Sequence, residues 1–329
     1  MNDITNIAVS FSNNPYSSSF NDYQIKCRNN IIRNAKIGIS IRETYNSRLH
    51  VRNNNIGNTG YIKGSVGIDF VNTYQTQTTC DKPGFINRQF ILSNKITRFE
   101  TGINTEQANC MVVDSNLIRM SNNFGFFTQF HGIWSKNCTN GEIGLNDVNG
   151  GNLSPSSCIG IRLLSNNTER VFCSTVDSND YAIWMEGAGS FTTRMEKNTL
   201  SKYNNGFYFT GNLSLNHQLI NSGTTTPLVQ INAWIDKTTT GLPTKEFNAS
   251  PGLSMTDTNF YFLAGDPNLD TRINDIHQVG LSPTLMAIGI SHLLNCNGTA
   301  PQGRMLVAVL KDSTNMHWDT ISVFGLQTK

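Results

Sequence analysis

One six-residue pattern, apolar-x-x-Asn-x-apolar, recurs along the first two thirds of the chain and constrains the fold more than any other feature. It reads CRNNII at 27–32, VRNNNI at 51–56, ILSNKI at 91–96, VDSNLI at 113–118 and MEKNTL at 195–200. VFCSTV at 171–176 keeps the frame with Ser174 in the asparagine position, and WSKNCT at 134–139 is a poorer copy. The positions so defined are Asn30, Asn54, Asn94, Asn116, Asn137, Ser174 and Asn198, separated by 24, 40, 22, 21, 37 and 24 residues. Most of these steps are close to one turn of a solenoid, and the long ones contain insertions or an irregular coil.

A second element follows the first in a fixed order. Six residues after the closing apolar residue, a small residue opens a short alternating run: Gly38 in GISI, Gly102 in GIN, Ala182 in AIWM and Gly206 in GFYF. Gly67 in GIDF, Gly125 in GFFT, Gly144 in GLN and Gly160 in GIRL fit the same slot with shifted spacing. The alternating runs read as strands with one buried face. Asparagine accepts left-handed backbone geometry at a corner better than other residues with side chains. Stacked amides at equivalent corners can also bond up and down a ladder, which accounts for the 43 asparagines among 329 residues. The expected fold is all-β, a right-handed parallel β-helix over residues 1–212. Each coil buries its apolar side only against its neighbours.

With these motifs in place, Asn-x-Ile followed by Gly-Ile-x-Leu resembles the repeats of pectate-lyase-like parallel β-helix proteins over about residues 20–212. The asparagine-rich style is also similar to large surface proteins secreted by Bacteroidetes. The resemblance implies a fold and leaves the activity open. Residues 72–90, NTYQTQTTCDKPGFINRQF with 72 as its first residue, interrupt the spacing and read as a loop thrown out of one coil. After about residue 213 the frame disappears and Thr, Pro and Gly become frequent. Residues 213–329 are therefore expected to form an irregular cap or a small extra module.

Bulk properties narrow the function classes. Lys+Arg 25 against Asp+Glu 23 gives a net charge of +2, without the field that would draw the chain to nucleic acid. No stretch approaches the roughly 18 apolar residues of a membrane span, and residues 1–10 lack the basic start and apolar core of an export signal. The chain is expected to be part of a larger secreted or surface protein, with any signal outside it. Seven cysteines without C-x-x-C spacing indicate neither a zinc knuckle nor a redox pair. They read as small core residues, with one or two disulfides open.

Alternation past the glycine slot sends Ser40, Arg42, Asp69, Asn104, Phe127, Asn146, Arg162, Trp184 and Tyr208 outward. Aromatic, guanidinium and amide groups in one column suit a polysaccharide or cell-surface glycan, since sugar faces pack on rings while hydroxyls need hydrogen-bonding partners. The binding set expected is Arg162, Trp184, Tyr208, Asn146 and Asp69. For a lyase or epimerase, Arg162, Arg194 and Lys197 would supply charge; for a hydrolase, Asp177, Asp180 and Glu186, with Asp147, are the carboxylates available. No histidine-containing signature follows at the spacing a hydrolase would show, and His131 in FHGI reads equally as a satisfied turn residue. GDPNLDTRIND places Asp266, Asn268, Asp270 and Asn274 at a spacing that can wrap calcium, although Thr271 stands at the turn glycine and His277 at the last acidic position. A plain Asp/Asn turn is the alternative, and no cofactor is required. A carbohydrate-binding or adhesive module is expected, with a glycan-acting enzyme and a structural spacer as the alternatives.

Overall fold

The computed structural model describes residues 7–11, 24–45, 48–74, 89–120, 129–151, 158–166, 170–187, 193–196 and 198–211, and beyond them only short strands up to residue 322. After Ile7–Phe11 (β1), the chain winds through coils of three strand segments. They are Gln24–Arg28, Ile31–Arg33 and Ile37–Tyr45 (β2–β4); Arg48–Arg52, Asn55–Gly57 and Val66–Tyr74 (β5–β7); and Gln89–Leu92, Lys95–Thr97 and Thr101–Glu106 (β8–β10). Met111–Asp114, Leu117–Arg119 and Phe130–Lys136 (β11–β13) and Glu142–Gly144, Asp147–Asn149 and Cys158–Leu164 (β14–β16) follow. In the last two coils the second and third segments fuse: Arg170–Phe172 (β17) with Thr175–Glu186 (β18), and Arg194–Glu196 (β19) with Thr199–Thr210 (β20).

Every strand from β1 to β20 pairs in parallel with its equivalent one coil away, giving three faces. The first face stacks β2, β5, β8, β11, β14, β17 and β19; the second begins with β3 and the third with β1 and β4, and both end in the fused strands. The result is an all-β, parallel-strand solenoid. The pairing continues beyond residue 212, where Ala233–Ile235 and Lys245–Ala249 lie parallel to β20. Asn259–Leu263, Thr284–Ile290, Leu306–Val309 and Ile321–Ser322 form a separate four-stranded sheet.

The core consists of stacked apolar columns, one for each strand position. Ile39, Ile68, Ile103, Ile133, Ile161, Ile183 and Phe207 align on the third face and are all fully buried. Ile32, Ile56, Ile96, Ile118, Val148, Val176 and Leu200 align on the second and are likewise buried, Ile32 at the end of the column least completely. Between the first and second faces, the backbone turns at left-handed residues Asn29, Asn53, Ser93, Ser115, Leu145 and Cys173.

The next residue at this corner belongs to the ladder. Asn54 Oδ1 accepts from the backbone N–H and the side-chain amide of Asn30, at 3.0 and 2.9 Å, and the pattern repeats from Asn54 to Asn94, Asn94 to Asn116 and Asn116 to Asn146. Ser174 and Asn198 complete it. The fifth rung is Asn146, where Asn137 was expected. Asn137 lies after β13, at the corner between the third and first faces. The frame at 143–148, IGLNDV, is the corner repeat of this coil, and its glycine is not the opening of a strand.

The glycine slot has a steric cause. A Cβ on Gly67 would come 2.6 Å from Gly102 O and 2.6 Å from Ile96 Cγ2, and Gly38, Gly102 and Gly160 meet equivalent contacts. In the fourth coil the slot is held by Gly132, and in the fifth by Gly160. Gly144 ends β14, where the Phe172 ring fills the space a Cβ would need. Gly125 lies outside the described residues. The interruption read over 72–90 is shorter, since 72–74 belong to β7 and 89–90 to β8. Cys27, Cys138 and Cys158 are buried thiols packed in the core, whereas Cys110 and Cys173 are disulfide-bonded.

Candidate functional site

Counting from the glycine slot gives the geometry of the third face. Residues two positions past it form one outward column, Ser40, Asp69, Asn104, Trp134, Arg162, Trp184 and Tyr208, one per coil. Residues four past it form a second, in which Arg42, Glu106, Lys136 and Glu186 carry charge. His131 and Tyr181, one position before the slot, stand in a third.

Arg162 is the centre of this face. Its guanidinium lies over the Trp184 ring at 4.4 Å and the Trp134 ring at 5.2 Å, so both neighbours in the column offer it π faces. Nη2 donates to Glu186 at 2.5 Å, and Nη1 lies 3.3 Å from Gln129 Oε1 and 3.1 Å from His131 Nε2. Because a guanidinium can only donate, Nε2 accepts and the imidazole proton sits on Nδ1. Burial, with the Arg162 charge adding to it, pushes the His131 pKa down from 6.5 to about 3, so the ring is neutral at ordinary pH. His131 also stacks on Trp134 at 4.5 Å. It is a buried strand residue of β13, in place of the turn residue expected.

The aromatic run continues past Arg162. Tyr181, Trp184 and Tyr208 contact one another at centroid distances of 4.9–5.1 Å. Trp184 Nε1 donates to Thr210 Oγ1 at 2.9 Å, which fixes the indole against the next coil. Burial raises the Tyr181 phenol above its usual range, with the neighbouring Tyr208 and Asp180 adding to the shift. The other end of the column is polar. Arg42 pairs with Asp69, whose second carboxylate oxygen accepts from Asn104 at 2.8 Å.

The structure therefore brings Arg162, Trp184, Tyr208 and Glu186 together on one face. Asp69 is in the outward column but only 2% exposed, closed in by its bonds to Arg42 and Asn104. Asn146 does not reach the face: it is 1% exposed and held in the corner ladder. Asp177 stands on the second face and accepts from Asn149, Ser178 and Ser201 at 2.7–2.9 Å. Asp180 accepts from the Cys158 N–H and from Asn204, each at 2.8 Å, and its pKa is raised by burial. These two carboxylates hold coils together and do not face Glu186 as a catalytic pair. Asp147 is likewise engaged, in a two-pronged ion pair with Arg119. Phe127, the Arg194 and Lys197 side chains, and the turn with Asp266, Asn268, Asp270 and Asn274 lie outside the described residues. Among the described residues, no cluster of three His, Cys, Asp or Glu could hold a metal, and no helix is long and apolar enough to cross a membrane.

Trp134, Tyr181 and His131 were missed as members of the face. The signal was present: Trp134 stands two residues after Gly132, as Arg162 does after Gly160. No family model, curated protein or solved structure matches the chain.

Proposed function

We propose that the third face binds carbohydrate, and that the chain is an extracellular, right-handed, pectate-lyase-like β-helix module of a larger secreted or surface protein. The observation that carries this reading is the run Trp134, Arg162, Trp184 and Tyr208 on consecutive coils, broadened by Tyr181, with the buried His131 ring stacked on Trp134. Half-buried rings held by neighbouring coils offer apolar surface with polar edges and little conformational freedom to lose, as sugar faces require. The handedness follows the rule for parallel strands joined by crossovers. Disulfide-bonded Cys110 and Cys173 suit an oxidising compartment.

A second reading, a polysaccharide lyase, epimerase or glycoside hydrolase, draws on the contact between Arg162 and Glu186 beside the rings. Binding without catalysis fits better, because Glu186 is tied to Arg162 and His131 is already committed as its hydrogen-bond acceptor. Affinity gel electrophoresis of the whole chain in a panel of soluble polysaccharides, with and without calcium, tests both readings when unsaturated-product absorbance, new reducing ends and sugar epimer composition are followed in parallel. Retardation without product is expected. Product formation would make the chain an enzyme, and neither signal would leave a structural spacer.

A further inference from the structure

We infer that the ligand is an uncharged glycan chain lying along the solenoid axis, an inference that rests on the carbohydrate reading above. In the three outward columns, among the described residues of the seven coils from β2 to β20, the cations are Arg42, Lys136 and Arg162 and the carboxylates are Asp69, Glu106 and Glu186. Each cation is matched to a carboxylate: Arg42 to Asp69, Lys136 to Glu106 at 2.9 Å and Arg162 to Glu186 at 2.5 Å. The face therefore carries charge without a surplus of either sign.

Arg162 is the residue an acidic sugar would need, and its surroundings leave it little to offer. A guanidinium recognises a carboxylate best with two parallel N–H donors. Here Nη1 serves Gln129 and His131, Nη2 serves Glu186, and Nε is buried with no hydrogen-bond partner. Its two flat faces are taken up by Trp134 and Trp184. Lys136 is held between Glu106 and the Trp134 ring, at 5.1 Å from the ring centroid. A uronic acid carboxylate would meet Glu186 and Glu106 with no unmatched cation to offset the repulsion.

An uncharged sugar needs none of this. Its apolar face requires ring surface, and its hydroxyls require dipoles such as the Asn104 amide farther along the same column. The run from Trp134 to Tyr208 covers four consecutive rungs, about 14 Å at the usual strand spacing. That length accommodates several pyranose rings end to end, so a chain is favoured over a monosaccharide.

The test is affinity electrophoresis of the whole chain, wild type and Glu186→Gln, against a soluble neutral β-glucan and against polygalacturonate, at low and high salt. Wild type is expected to be retarded by the glucan equally at both salts, with apparent affinity about tenfold or more above that for polygalacturonate. Glu186→Gln, which unpairs Arg162, is expected to gain salt-sensitive retardation by polygalacturonate. Salt-sensitive preference of the wild type for polygalacturonate would overturn the uncharged assignment while keeping the carbohydrate reading. Retardation by neither polymer would overturn both.

Discussion

The corner column through Asn54, Asn94, Asn116 and Asn146 repeats one residue type and buries each copy to 1% exposure, whereas the outward column of the third face changes residue at every rung. Both columns are built by the same stacking of coils. At the corner, each Oδ1 must accept from the backbone and the amide of the preceding coil, and the amide must donate onward, so the chemistry of one rung dictates that of the next. On the face, a side chain touches its neighbours through ring faces and ion pairs and can be exchanged coil by coil. Uniformity therefore marks what the solenoid needs to stack, and variety marks where it is free to take on a ligand.

Breaking the corner should cost most. Asn116→Leu leaves the Asn94 backbone N–H and part of its amide buried without partners, and removes the side-chain donor to the Ile91 carbonyl. At roughly 1–3 kcal/mol for each group of this kind, a loss of about 4 kcal/mol is expected in denaturant unfolding. A variant as stable as wild type would remove the ladder from the account.

The next effect probes the outward face through pH. Below about 6.5 an unfolded histidine takes up a proton that folded His131 refuses until about pH 3. Stability is therefore full above 6.5 and falls as the pH drops toward 3, by about 3 kcal/mol between pH 7 and pH 4 from this residue. His131→Gln should remove that part of the acid sensitivity, measured as the difference in unfolding free energy at the two pH values. An unaltered acid loss in the variant would contradict a neutral, Arg162-bound His131.

The fold was legible because the corner imposes one residue type at a readable spacing: Asn30, Asn54, Asn94 and Asn116 could be found by frame alone. Asn146 was not, because glycine arises here for two physical reasons that share one letter. Gly132 is required by the carbonyl of the adjacent coil, and Gly144 by the Phe172 ring, yet only the first kind marks a strand of the third face. Arg162, Trp184 and Tyr208 were legible as one column, since alternation past a true slot fixes direction. Trp134 was hidden by being read as part of a corner repeat, and the burial of His131 and Asp69 depends on neighbours that sequence spacing does not reveal.

The central claim is that the outward column is a binding surface that stability does not require. Trp184→Ala tests it most directly, with thermal melting and glycan retardation measured on the same preparation. The indole is half-buried and its side-chain hydrogen bond goes to Thr210 on the adjacent coil, so a stability loss of only about 1 kcal/mol is expected, together with loss of retardation by the neutral glucan. A melting temperature that falls as far as that of Asn116→Leu, with retardation unchanged, would show that the column is part of the stack and that the binding face lies elsewhere.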